Sequence, residues 1–196
     1  MLITLLAQTS GTCKVLGYDT FGEEKNIRPR INFIFGGEMG IYRRLSARDN
    51  LEYFANLYHI NPAVSEPRIN ELLKLVELFD KADLLAETYS KGMIQRLQIA
   101  RGLINDPEII FMDEPTIGLD PLGARMLRDI IKKLKSDGKT VLLTTHYMPE
   151  AEELCDRIAI INQGKIIASG TPTDLKSQTN TQTLEAAYIK LVEGGI

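Results

Sequence analysis

The sequence predicts an α/β chain in which a parallel sheet is covered by helices, and three stretches carry that expectation. Glu108-Ile109-Ile110-Phe111-Met112 is short and almost wholly apolar, which suits a strand buried on both faces. Thr140 to Thr145 reads as a second buried-type strand. Between them lies a helical pattern that Pro121 opens, with Met126, Leu127, Ile130, Ile131 and Leu134 as its stripe and Gly138 as its stop. A further helix precedes the first strand, with Ser90 as N-cap and Met93, Leu97, Ala100 and Ile104 at helical spacing.

The stretch Tyr89–Pro121 also carries the chemistry. Asp113 and Glu114 stand where the apolar strand ends, and open α/β sheets bind ligands beyond the carboxyl ends of their strands. An Asp there can hold Mg²⁺ directly or through water, because Mg²⁺ prefers hard oxygen ligands and keeps several waters. The adjacent Glu can orient a water and take its proton. Ser90-Lys91-Gly92 opens a helix whose N-terminus suits a phosphate. A solvated Asp-Glu pair and an ordinary capped helix are the plain alternatives. The succession of capped helix, buried strand, carboxylate pair and Gly118-Leu119-Asp120 turn favours nucleotide chemistry over both.

These residues resemble the motifs of ATP-binding cassette (ABC) ATPases. Ser90–Gln95 is similar to the signature motif, in an S-K-G-M-x-Q form. Ile109–Glu114 resembles the Walker B strand, Gly118-Leu119-Asp120 the D-loop, and Thr145-His146 the switch histidine. The resemblance covers essentially the whole chain, and its wording is most similar to nucleotide-binding subunits of drug- and lipid-type exporters. It implies an α/β, P-loop NTPase-like ABC ATPase domain over residues 1–196. A helical subdomain would occupy about 46–105, and a hairpin and helix about 157–196. It implies that Asp113 places Mg²⁺, that Glu114 is general base in ATP hydrolysis, and that His146 holds the γ-phosphate. Ser90, Lys91, Gly92 and Gln95 would cap the ATP of a facing domain, and Asp120 would link the two sites. The implied partners are a transmembrane permease subunit and a second nucleotide-binding domain, the same or different. The implied place is the cytoplasmic face of the membrane. Competing readings are a non-catalytic cassette that completes a partner's ATP site, and a soluble ABC ATPase outside transport.

The chain departs from the family pattern in two places. The phosphate loop G-x-x-x-x-G-K-[ST] is absent: the Gly-Lys pairs are Gly138-Lys139 and Gly164-Lys165, with Lys133 and Ala159 where the first glycine should stand. Set against the family, Met1 falls inside the helix that follows that loop, so the phosphate-loop strand is expected to be missing, a sheet edge exposed, and ATP binding by the chain alone poor. The strand Ile31–Phe35 is followed by Gly36-Gly37-Glu38-Met39-Gly40, where the family has a glutamine. Gly36 or Gly37 takes that place; Glu38 could reach a metal-bound water, and a plain glycine loop is the competing reading.

Composition bounds the rest. The chain has 196 residues, 44% hydrophobic and 25% charged, which suits one domain with a sizeable core. A net charge of −3 gives no nucleic-acid footprint. Cys13 and Cys155 lack metal-type spacing and read as reduced thiols. No apolar run approaches the ~20 residues that span a bilayer, and the opening Met-Leu-Ile-Thr-Leu-Leu is too short for a secretory leader. Residues 1–6 read as the tail of an apolar helix and Thr12–Tyr18 as a strand. Ser46 with Asp49 forms a capping-box pattern, ahead of Leu51, Phe54, Ala55 and Tyr58. Ser65-Glu66-Pro67 should start the next helix, whose apolar face is Ile69, Leu72, Leu73, Val76 and Phe79. Tyr42, Tyr53, Phe54 and Tyr58 could form a docking groove, with Tyr42 the best candidate and Phe54 better read as core. Arg157–Asn162 and Lys165–Ser169 predict a hairpin across Gln163-Gly164. A short helix from Thr171-Pro172, a flexible Ser177–Thr183 link and a helix over Leu184–Val192 complete the chain.

Overall fold

Leu16 and Gly17 take φ of 55° and 84°, which reverses the chain within two residues. Thr12–Tyr18 is therefore not one strand: β1 (Lys14–Val15) turns back on β2 (Tyr18–Asp19) as a small antiparallel hairpin. The structure, a computed structural model, describes residues 1–35 and 40–194. It divides into two compact units, Met1–Leu142 and Leu143–Ile196.

In the first unit, residues 1–6 form turns rather than a helix tail. Six residues are too few to nucleate a helix unaided. Thr4 instead adopts φ 59°, and its hydroxyl and carbonyl accept from Arg28 at 3.0 and 3.3 Å. The short helix α1 (Glu24–Ile27) and a 3₁₀ turn lead into β3 (Ile31–Phe35). Ile27 and Ile31 pack with Val15 and Phe111 in one cluster.

The helical part begins with α2 (Ala47–Leu57). Its capping box forms as the sequence predicts: the Asp49 amide donates to the Ser46 hydroxyl at 3.0 Å, and the Ser46 amide to the Asp49 carboxylate at 3.3 Å. Helix α3 (Pro62–Leu75) starts earlier than expected. Asn61 accepts the Ala63 amide at 2.9 Å and Pro62 takes the first position, so Pro67 lies inside the helix. One lost backbone bond at Pro67 is outweighed by that cap and by the burial of Ile69, Leu72 and Leu73. The helix ends before Phe79, which is 40% exposed in a 3₁₀ turn with the Lys74 ammonium 5.0 Å from its ring.

Helix α4 (Lys91–Gly102) packs against α2, α3 and β3 and is buried on most sides. Gly102 permits the approach to β3, since a methyl group there would collide with Ile34. β4 (Ile109–Asp113) runs parallel to β3, with Ile31 opposite Ile109 and Phe35 opposite Asp113. Ile110, Phe111 and Met112 are buried, as their apolar run predicts. After α5 (Pro121–Ser136) comes β5 (Thr140–Thr144), and the sheet order is β3-β4-β5. β5 is not the buried strand expected: it is outermost among the described strands, its exposed and half-buried residues alternate, and Leu142 is 40% exposed.

The second unit holds α6 (Met148–Leu154), the hairpin β6 (Ile158–Asn162) and β7 (Lys165–Gly170), α7 (Pro172–Thr179) and α8 (Leu184–Glu193). Gln163 and Gly164 both have positive φ, 47° and 74°, so the hairpin closes where the sequence predicts. Ala151, Ile160, Ala168, Leu175, Leu184 and Leu191 form its core. Ser177–Thr183 is not a free link. α7 continues to Thr179, whose buried hydroxyl donates to the Leu175 carbonyl at 2.9 Å, and left-handed Asn180 ends it.

Candidate functional site

The apolar run of β4 delivers two carboxylates to its carboxyl end. Asp113 is the last strand residue and is exposed; Glu114 follows, half-buried. Glu114 has φ 46°, a left-handed backbone that non-glycine residues seldom adopt. A turn follows directly, with the Ile117 amide donating to the Glu114 carbonyl at 3.1 Å. Pro115 is buried beneath it.

Around the opening of α4, Ser90 is the N-cap, and its hydroxyl accepts the Met93 amide at 3.3 Å. The amides of Lys91 and Gly92 lie in the first turn, where a helix has no carbonyl to offer them. A Cβ built on Gly92 meets nothing within 4 Å, so open space lies in front of this backbone. Asp120 caps α5, accepting the Gly123 amide at 2.7 Å. Ser90, Gly92, Gly118 and Asp120 line one groove of about 710 Å³, together with Arg96 and Arg125. Two motifs that are distant in sequence thus share a surface.

Gln95 does not share it. The resemblance placed it with Ser90 and Gly92 as a contact to a facing nucleotide, but the side chain turns inward and is 3% exposed. Its Nε2 donates to the Pro115 carbonyl at 3.2 Å and the Phe35 carbonyl at 3.4 Å. The helical period explains this: Gln95 falls on the face of α4 that carries Gln98, Ile99 and Gly102, all buried. His146 lies in the second unit, exposed, just beyond β5, where the Tyr147 amide donates to the Thr145 hydroxyl at 3.0 Å. Gly37 and Glu38 lie outside the described residues.

Beyond that segment, no local pattern marks two residues that organise the surface. Asn50 is fully buried; it accepts the Tyr42 amide at 2.8 Å and donates to the Tyr42 and Ser46 carbonyls at 3.0 and 2.8 Å. Tyr42 is thereby held with its ring edge-on to Tyr53, centroids 4.8 Å apart, and both are exposed. Arg101 lies 5.2 Å from the Phe54 ring and donates to the Phe33 and Gly40 carbonyls at 3.0 and 3.3 Å. Burial pushes its guanidinium below the usual arginine value. Gly40 has φ 88°, and the Arg101 guanidinium fills the place a Cβ would take.

The residues present fit a phosphate better than a metal held by protein alone. Among the described residues no three His, Cys, Asp or Glu side chains gather to hold an ion. Asp113 suits Mg²⁺ only as one ligand among waters and phosphate oxygens, which is how that ion is commonly bound. The empty space before the Gly92 backbone suits an anion at a helix N-terminus.

Comparison with known proteins follows the same lines. The family model described as ABC transporter matches residues 1–117. The chain is 38% identical over 195 residues to the ABC transporter ATP-binding protein NatA of Bacillus subtilis, covering 99% of this chain and 79% of that one. It is 40% identical to the daunorubicin/doxorubicin resistance ATP-binding protein DrrA of Streptomyces peucetius, over 94% of this chain and 56% of that one. It is 48% identical to a fluoroquinolones export ATP-binding protein of Mycobacterium tuberculosis, over 75% of this chain and 48% of that one. The chain therefore spans between about half and four fifths of these relatives' lengths. A solved structure described as an ATP binding subunit of an ABC transporter superposes with a TM-score of 0.87 at 28% identity, over 97% of this chain and 80% of that one. The chain belongs to the ABC transporter family, among relatives described as ATP-binding subunits of export and resistance systems.

Proposed function

We propose that the chain is part of an ATP-hydrolysing subunit that powers export through a separate transmembrane permease. The observation that carries this is the pair Asp113-Glu114 at the open end of buried β4. The groove shared by Ser90, Gly92 and Asp120 supports it.

In this reading Glu114 accepts a proton from the water that attacks the γ-phosphorus, as the bond to the leaving diphosphate breaks. Asp113 takes one position on Mg²⁺, which when bound neutralises charge on the transferring phosphoryl group. His146 donates to a γ-phosphate oxygen. Ser90, Lys91 and Gly92 offer a hydroxyl, a positive charge and first-turn amides to the ATP held by a facing domain, the same or different. Asp120 joins the two halves. Such electrostatic clamps supply most of the rate in phosphoryl transfer, so each is needed. These residues contain no phosphate loop, so the share of the ATP site argued for them is the carboxylate end and the capping face.

No helix among the described residues is long and apolar enough to cross a membrane. The permease would therefore be met by docking, and the exposed Tyr42-Tyr53 pair, pinned by Asn50, is the surface offered to it. The net charge of −3 gives no reason to invoke nucleic acid. In the ATP-hydrolysing assembly, Glu114→Gln should reduce turnover by about a thousandfold while ATP-driven association of the domains persists. Steady-state hydrolysis at the wild-type rate would remove Glu114 as the base.

A further inference from the structure

Gln95 is buried in α4, yet it makes its side-chain bonds outside its own helix. One amide nitrogen donates to the Pro115 carbonyl at 3.2 Å and to the Phe35 carbonyl at 3.4 Å. The amide oxygen is buried with no hydrogen-bond partner. A buried acceptor left unsatisfied opposes folding, and an apolar side chain of the same shape would avoid that cost. Stability is therefore a poor reason for a glutamine here. What remains is the use of its donor.

The two carbonyls it holds are informative. Phe35 ends β3 directly opposite Asp113, and Pro115 follows Glu114. Between them stands the left-handed backbone of Glu114, φ 46°, which persists only where its surroundings hold it. One nitrogen thus ties the residue that follows the carboxylate pair to the strand beside it. We infer that Gln95 is a positioning residue for Glu114: it pins the Pro115 carbonyl to β3, and so sets the direction in which the Glu114 carboxylate leaves the end of β4. Ser90 caps the same helix. The helix that presents first-turn amides at the capping face therefore also steadies the carboxylate turn of its own domain.

The inference rests on the reading of Glu114 as the base, and the test separates the two. Gln95→Met keeps the volume and removes both the donor and the orphaned oxygen. In the 196-residue chain it should leave the melting temperature unchanged or raised, while the Ile117 amide, which closes the turn on Glu114, exchanges with solvent about tenfold faster. In the ATP-hydrolysing assembly, kcat should fall about tenfold or more at unchanged KM. Gln95→Glu gives a further signature. A buried carboxyl facing two carbonyls titrates above its usual range, and only its protonated form donates. Turnover of that variant should thus recover toward lower pH, on a limb the wild type lacks. Unchanged Ile117 exchange in Gln95→Met overturns the inference. So does a loss of turnover that comes with a lowered melting temperature and no such limb in Gln95→Glu. If Glu114→Gln still hydrolyses ATP, the base reading falls, and the exchange measurement, which needs no turnover, still decides whether Gln95 holds the turn.

Discussion

On the proposed function, the Ser90 hydroxyl serves folding and binding together. It caps α4 by accepting the Met93 amide, and it faces the groove that Asp120 also lines. Ser90→Ala should cost about 1 kcal/mol of stability, read from denaturant midpoints. Ser90→Thr, which keeps the cap, should restore most of it; a full loss in Ser90→Thr would show that the cap is not the cause. At this scale the sequence was partly legible. Ser90 announces itself because a small hydroxyl residue before an apolar helical stripe has a local explanation. Asp113 and Glu114 do so because a run of apolar residues ends at them. Gln95 gives no such sign. Its direction depends on which side of α4 meets β3, and that is decided by residues about sixty positions earlier in the chain.

Among the elements, α3, α4 and α5 meet at a charged cluster that no motif marks. Arg68 of α3 donates to the Ile104 carbonyl at 2.9 Å, beyond the end of α4, and to the Asp106 carboxylate at 3.2 Å. Lys139, beyond α5, pairs with Asp106 at 2.9 Å. The cluster borders a cavity of about 660 Å³. The Lys139 ammonium, then the Arg68 guanidinium, hold the Asp106 carboxyl below its usual value of 3.8. A carboxyl depressed in the folded state contributes stability above its unfolded pKa and loses it as pH falls through the folded one. The contribution should thus be complete above about pH 5 and fade below about pH 4. Asp106 is largely exposed, so solvent screening keeps the effect small. Asp106→Asn should flatten that acid limb in denaturant midpoints. Asn also tolerates the left-handed φ of 50° at this position, so the variant removes charge without straining the backbone. An unchanged limb would show that the pairs do not contribute. The elements themselves were mostly readable from period and caps. α3 starts at Pro62 rather than near Pro67 because Asn61-Pro62 supplies both a side-chain cap and a proline at the first helical position. The ordered Ser177–Thr183 stretch looked polar enough to be loose, because its fastening, Thr179 to the Leu175 carbonyl, is a buried hydroxyl bond that composition does not reveal.

For the molecule as a whole, the proposed function predicts association through the shared groove. Ser90, Gly92 and Asp120 line that groove together. Mixed with an intact ABC ATPase domain whose own Walker B glutamate has been replaced, the chain should associate only when ATP is present, as read by size-exclusion chromatography. No ATP-dependent complex would remove the capping role of these residues. The alternation of apolar strands and helical stripes along the sequence made a parallel sheet covered by helices foreseeable, though not that β4 pairs with β3. An exposed sheet edge was expected, but that β5 forms one and that the chain divides into two units were not foreseeable, because both depend on which surfaces find neighbours rather than on any local pattern.

The twisted backbone at position 114 also bears on engineering. A screen for heat-resistant variants would favour glycine there, since releasing a side chain from that geometry gains roughly 1 kcal/mol. The same replacement discards the one group assigned to take a proton from water. Laboratory evolution toward toughness would therefore tend to breed an inert protein unless each round also demanded turnover.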